Sequence, residues 1–145
     1  MKIAAPCRIE TRLPRRPEFV RFARSAAKAL ALQLDFNYGD SCDVELSVGE
    51  ACANAVEHVC DVECTEILMS FVIESNHLVI EVCDHGQGFD PAKVESSQED
   101  PARGLGIGLQ IIRALMDEVK ISSSCQTGTC VRMVKYRESE PDAGE

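Results

Sequence analysis

Apolar residues recur along the chain with two periods, and the switches between them outline the elements. Character alternates over residues 7–13 and the run stops at Pro14, which predicts a strand at a sheet edge. Pro17 suits the first position of a helix, and Phe19, Phe22, Ala23, Ala26, Ala27, Leu30 and Leu34 then return at helical spacing. Asn37-Tyr38-Gly39-Asp40-Ser41 reads as a turn with capping side chains. A second helix follows to about residue 60, with Val44, Val48, Ala51, Ala55 and Val59 on one stripe. Two strand-like runs, 66–74 and 78–83, are joined by Ser75-Asn76-His77. Residues 85–103 carry glycine, proline and charge without periodicity, a long loop of the kind that serves as a lid. A third helix begins near Leu105 and carries Leu109, Ile112, Leu115 and Met116, and strands over 118–124 and 129–136, linked by Gln126-Thr127-Gly128, close the pattern.

Hairpins with helices between them predict an α+β fold, a two-layer α/β sandwich in which helices cover one face of a mixed sheet. With no linker or repeat in 145 residues, the expectation is one domain over 1–137 and a polar, acidic, disordered tail over 138–145. Hydrophobic residues make up 45% of the chain and charged ones 27%, which is ordinary for a soluble globular protein. A net charge of −9 argues against a nucleic-acid partner, since a phosphate backbone demands a basic face. No apolar run is long enough to span a membrane and the N-terminus has no secretory signature, so the expected location is the cytoplasm. Eight cysteines raise the question of a disulfide scaffold, but the apolar content suffices for a core without staples. Cys52, Cys83 and Cys130 fall inside apolar patterns, where a reduced thiol acts as a small hydrophobe. His58, Cys60 and Cys64 lack the paired spacing and fourth ligand of a metal site.

Three polar features exceed what folding requires. Glu50, Asn54, Glu57 and His58 form a stripe on the second helix, either a solvated face or a base beside a neutral oxygen ligand. Asp84-His85-Gly86-Gln87-Gly88-Phe89 follows an apolar strand. It reads as a hairpin turn, or as an acceptor held where a ligand meets the backbone. Gly104-Leu105-Gly106-Ile107-Gly108-Leu109 opens the third helix. It reads as a hinge, or as a set of bare N–H groups at the positive end of a helix dipole, suited to phosphate. No Gly-Lys-Ser/Thr follows, which excludes a Walker A loop, and no strand immediately precedes, which excludes a dinucleotide fingerprint.

Taken in order, Glu50-x3-Asn54-Ala55-x2-His58, Asp84-x-Gly86-x-Gly88-Phe89, the glycine run from Gly104, and Gly128-Thr129 resemble the four boxes of the GHKL ATPase superfamily. The run "RGLGIGLQIIRALMDEV" and the closing "GTCVRMVKY" resemble in particular the bacterial anti-sigma regulatory serine kinases. The resemblance implies a Bergerat-type ATP-binding fold and an ATP-dependent protein serine kinase. Asn54 would ligate Mg²⁺ and Glu50 would be the catalytic base. Asp84 would accept from the adenine amine, with Thr129 supporting that end. Gly104, Leu105, Gly106, Ile107, Gly108 and Leu109 would hold the phosphates, with His58, Gly86 and Gly88 in the boxes and Arg103, ahead of Lys93, the cation expected at the γ-phosphate. Family members bind a sigma factor and phosphorylate a serine on a small STAS-domain antagonist, usually as homodimers.

Other readings share some of these features. A histidine kinase catalytic domain would have upstream dimerisation helices, and a gyrase- or chaperone-like fragment would continue into a transducer domain. A switch kinase acting on a STAS scaffold is a close cousin, left open by the sequence. A partner-sequestering module with structural nucleotide is the rival of another class, and Glu50 speaks against it, because a pure binder has no need of a base.

Overall fold

A computed structural model of the protein describes residues 4–57, 66–84, 105–124 and 128–138. Eight elements follow one another: β1 (Cys7–Pro14), α1 (Glu18–Gln33), α2 (Tyr38–Glu57), β2 (Glu66–Ile73), β3 (His77–Cys83), α3 (Leu105–Leu115), β4 (Glu118–Ser124) and β5 (Gly128–Tyr136). The strands form one sheet in the order β1-β2-β3-β5-β4. The α+β sandwich with helices on one face is as expected, but the sheet is not mixed: every ladder is antiparallel. The reason lies in β3 and β5. They are neighbours separated in sequence by α3 and β4, and because β4 pairs antiparallel to β5, the chain returns beside β3 in the opposite direction.

Alternation along the strands sorts side chains onto two faces. Ile67, Met69, Phe71 and Ile73 of β2, Leu78, Ile80 and Val82 of β3, and Val131 and Met133 of β5 are buried beneath the helices. α2 lies between α1 and α3 and is buried on more than one side, through Val44, Val48, Ala51, Cys52 and Ala55. α1 offers small residues, Ala23, Ala27 and Ala31, so its axis sits close to α2. Phe22, expected on that buried stripe, is instead 57% exposed. The stripe turns one residue onward because alanine allows the closer approach. α2 also begins earlier than the predicted turn allowed: the Asp40 N–H donates to Asn37 Oδ1 at 2.7 Å, so Asn37 caps a helix starting at Tyr38.

Lys135 orients the layers. It projects from the end of β5, is buried, and donates to the Leu115 carbonyl at the C-terminus of α3 at 2.6 Å. Asp43 lies 3.3 Å away and Asp40 3.7 Å, both in the early turns of α2. The start of α2, the end of α3 and the end of β5 are thereby joined at one end of the molecule. The late turns of α2, the start of α3, the start of β5 and the end of β3 consequently converge at the other. The predicted lid (85–103), the segment 58–65 and the acidic tail beyond residue 138 lie outside the described residues.

Candidate nucleotide and phosphoryl-transfer site

At that second end, Glu50 and Asn54 stand one helical turn apart on α2, facing the first turn of α3. The contact is with Gly108. A Cβ there would fall 3.0 Å from Glu50 Oε2, 3.1 Å from Asn54 Nδ2 and 3.3 Å from Asn54 Oδ1. A side chain there would be tight, since Glu50 and Asn54 would have to give by a few tenths of an ångström. Gly106 differs, because a Cβ there would meet nothing within 4 Å. Its absence of side chain answers to no packing need and leaves the helix start accessible.

Asn54 is 7% exposed, and its Nδ2 has no hydrogen-bond partner among the described residues. An orphaned buried amide costs about 1–3 kcal/mol, a cost that folding alone does not explain. A half-turn about the terminal bond exchanges the amide's nitrogen and oxygen, so the same place can present a neutral oxygen ligand. A neutral oxygen beside a carboxylate suits a hard, octahedral cation such as Mg²⁺, which takes few protein ligands and keeps the rest for phosphate and water. The residues present fit the metal.

The other wall is the last rung between β3 and β5. The Asp84 N–H donates to the Thr129 carbonyl at 2.8 Å, and the Thr129 N–H donates to Asp84 Oδ1 at 3.2 Å. The carboxylate thus takes the place that its own carbonyl would hold in a regular ladder, and the β5 backbone fixes its orientation. Both residues are buried. Ser123 Oγ lies 2.9 Å from Thr129 Oγ1 and orients that hydroxyl in turn. A carboxylate offers only acceptors, which suits an amine donor.

Among the other residues expected in the site, Ile107 is 48% exposed and the Leu109 side chain is buried in the core, leaving its backbone for a ligand. Leu105 opens α3. His58, Gly86, Gly88, Arg103 and Gly104 lie outside the described residues.

Two features escaped the sequence reading. The Arg15 guanidinium donates to the Val56 carbonyl at 3.3 Å, tying the β1–α1 connection to the turn of α2 that carries Asn54. Cys83 and Cys130 are not reduced apolar fillers but a disulfide. Once Asp84 is opposite Thr129, Cys83 must be opposite Cys130, so the register of the two boxes held the signal. Cys52 does behave as a small hydrophobe, and burial pushes its thiol pKa up to about 12.

A single helix face carrying a carboxylate and a buried carboxamide, seated against a glycine-opened helix start beside a strand-end aspartate, suits a nucleotide-binding ATPase domain. Residues 13–135 match the histidine kinase-like ATPase domain family, and the chain belongs to it. Its relatives include the serine-protein kinase RsbW of Oceanobacillus iheyensis, 37% identical over 137 residues, covering 88% of this chain and 85% of that protein. The serine-protein kinase RsbW of Bacillus velezensis is 32% identical over 142 residues, covering 91% and 87%. Among solved structures, the histidine kinase domain of the Erythrobacter litoralis EL346 blue-light activated histidine kinase superposes with a TM-score of 0.55 over 93% of this chain. This chain spans 65% of that one at 16% identity, a likeness of fold alone.

Proposed function

We propose that the chain is a cytoplasmic, ATP- and Mg²⁺-dependent protein serine kinase that binds a sigma factor and phosphorylates a serine of a STAS-domain antagonist, acting as a homodimer. The observation that carries this reading is the seat of Gly108 over Glu50 and Asn54, which brings a base and an orphaned oxygen-bearing amide to a helix N-terminus. The relatives named as serine-protein kinases support the phosphate acceptor.

Asp84 and Thr129 select adenine, and the N–H groups at the start of α3 hold the phosphate oxygens against the positive end of the helix. Asn54 would hold Mg²⁺, which would supply charge neutralisation of the phosphates. Glu50 receives the proton of the attacking serine hydroxyl. The serine oxygen forms its bond to the γ-phosphorus while the bond to the bridging β,γ-oxygen breaks and ADP departs. Little covalent work falls to the protein, so position and electrostatics dominate.

The test is incubation of the protein with γ-labelled ATP and each STAS-domain protein of its own genome. Label on a serine of one of them is expected. Tight nucleotide binding with no label on any would leave a nucleotide-gated sequestering module in its place.

A further inference from the structure

Cys83 and Cys130 occupy neighbouring positions to the two residues that form the adenine end of the site. Cys83 precedes Asp84 and Cys130 follows Thr129, and the pair stands directly opposite in the ladder with Cα atoms 4.1 Å apart. Asp84 and Thr129 form a hydrogen-bonded rung, so the next pair inward is the narrow, non-hydrogen-bonded kind in which side chains approach most closely. Because strand side chains alternate, the two sulfurs lie on the sheet face opposite the helices. The nucleotide site and the disulfide are thus on opposite faces of the same two strand ends.

That outer face is reachable. Cys83 lines a cavity of about 350 Å³, together with Arg8, Arg12, Leu68 and Glu81, and both cysteines are partly exposed. Cys52, by contrast, is sealed in the core. Disulfides in a reducing cytoplasm are usually transient, catalytic or redox-sensing rather than structural.

We infer that the Cys83–Cys130 pair is a reversible thiol–disulfide switch that sets nucleotide affinity by fastening or releasing the Asp84–Thr129 rung. The inference rests on the adenine role proposed for Asp84. In the oxidising direction one thiolate attacks a hydroperoxide oxygen, giving a sulfenic acid and a molecule of water or alcohol. The second thiolate then attacks that sulfur and expels water, so two sulfurs lose two electrons and the peroxide gains them. In the reducing direction a dithiol attacks one sulfur, and its second thiol resolves the mixed disulfide. The closed form holds the strand ends together and Asp84 in register. The open form leaves that rung as the last before residues 85–104, free to fray, and apparent affinity falls with the fraction of molecules still closed. The loss of one ordered hydrogen-bonded rung corresponds to roughly three- to tenfold in affinity.

The experiment compares the full chain treated with hydrogen peroxide, the same chain treated with dithiothreitol, and the Cys83→Ser/Cys130→Ser double variant. Peptide mass mapping follows the 83–130 linkage, ATP titration reads affinity, and amide hydrogen exchange at Thr129 reads the rung directly. The linkage should form and open reversibly in the native protein. Affinity should be three- to tenfold higher when it is closed, and Thr129 exchange slower. The double variant should stay at the reduced values under either treatment, which separates this pair from the remaining cysteines. A linkage that dithiothreitol cannot open without unfolding would overturn the switch, as would Thr129 exchange identical in both forms. If Thr129 exchange responds but ATP binds in neither form, the nucleotide reading fails and the fastening stands. If ATP binds equally in both forms, the nucleotide reading stands and the switch fails.

Discussion

Helix α2 holds a charged cluster near its start and a buried amide in its later turns, and these two are treated in opposite ways, although the buried hydroxyls of Ser41 and Ser47 also have no partner among the described residues. Near its start, Asp40 and Asp43 meet Lys135, whose ammonium also donates to the Leu115 carbonyl, so charge answers charge. In its later turns, Asn54 is as buried as Lys135, yet its Nδ2 has no partner among the described residues. A group that serves the fold gathers its partners within the chain, because leaving a buried polar atom unpaired is costly. Ser41 and Ser47 are short of partners too, so what singles out Asn54 is its place next to a carboxylate and under a helix start, where we propose that a ligand completes it. The contrast predicts that mutations at the two ends will separate stability from chemistry.

The largest effect should come from Glu50→Gln. Single-turnover transfer of the γ-phosphate should slow by about 10²–10⁴-fold, the usual share of a positioned base, with ATP affinity nearly unchanged. Wild-type transfer would remove Glu50 from the reaction. At the other end, Lys135→Met should lower unfolding free energy by about 2 kcal/mol in a denaturant titration. That is below the full cost of breaking a buried pair, because Asp40 and Asp43 keep side-chain exposures of 22% and 31%. Transfer per folded molecule should be preserved, and a variant that is stable but inactive would erase the distinction between the ends.

Asp84→Asn sharpens the comparison at the adenine wall. In the proposed site the Asp84 carboxylate would face an amine in adenine but a carbonyl in guanine, and two opposed acceptors cost about 1–3 kcal/mol. ATP should therefore outcompete GTP by roughly ten- to a hundredfold, and the variant should weaken ATP binding and narrow that gap. Unchanged selectivity in a competition titration would move Asp84 out of the pocket. The smallest effect concerns Cys52. Burial raises its pKa from 9.0 to about 12, so the neutral thiol is favoured by folding. The associated stability is complete below pH 9.0 and is lost as pH climbs toward 12. Iodoacetamide at pH 8 should label Cys52 only after unfolding, and rapid labelling of the native protein would contradict its burial.

Much of this was legible in the chain because the periodic segments are long and the polar boxes interrupt them. The second helix announced Glu50 and Asn54 by placing an asparagine between Ala53 and Ala55, where packing alone asks for neither charge nor amide. A strand end beside glycine marked Asp84, and the resemblance to the GHKL boxes added Thr129. What stayed hidden depended on pairing across distance. Phe22 obeys the helical period and still faces solvent, because the fit of α1 against α2 chose Ala23 and Ala27 instead. Lys135 reads as a charge in an apolar strand until Asp40, Asp43 and Leu115 are brought to it from three other segments. The Cys83–Cys130 bridge spans 47 residues and follows from strand register, which no local pattern states. Gly108 was assigned to phosphate, and its closest neighbours turn out to be Glu50 and Asn54.

The central claim is that the orphaned amide of Asn54 is reserved for a metal held against the nucleotide. The most direct measurement is ATP affinity with and without Mg²⁺, taken for the wild type and for Asn54→Ala. Wild-type affinity should rise on adding Mg²⁺, and the Asn54→Ala affinity should not respond. The variant should also keep its melting temperature or gain slightly, since it removes a buried polar atom that has no partner in the described fold. An Mg²⁺ response in Asn54→Ala equal to that of the wild type would contradict the account.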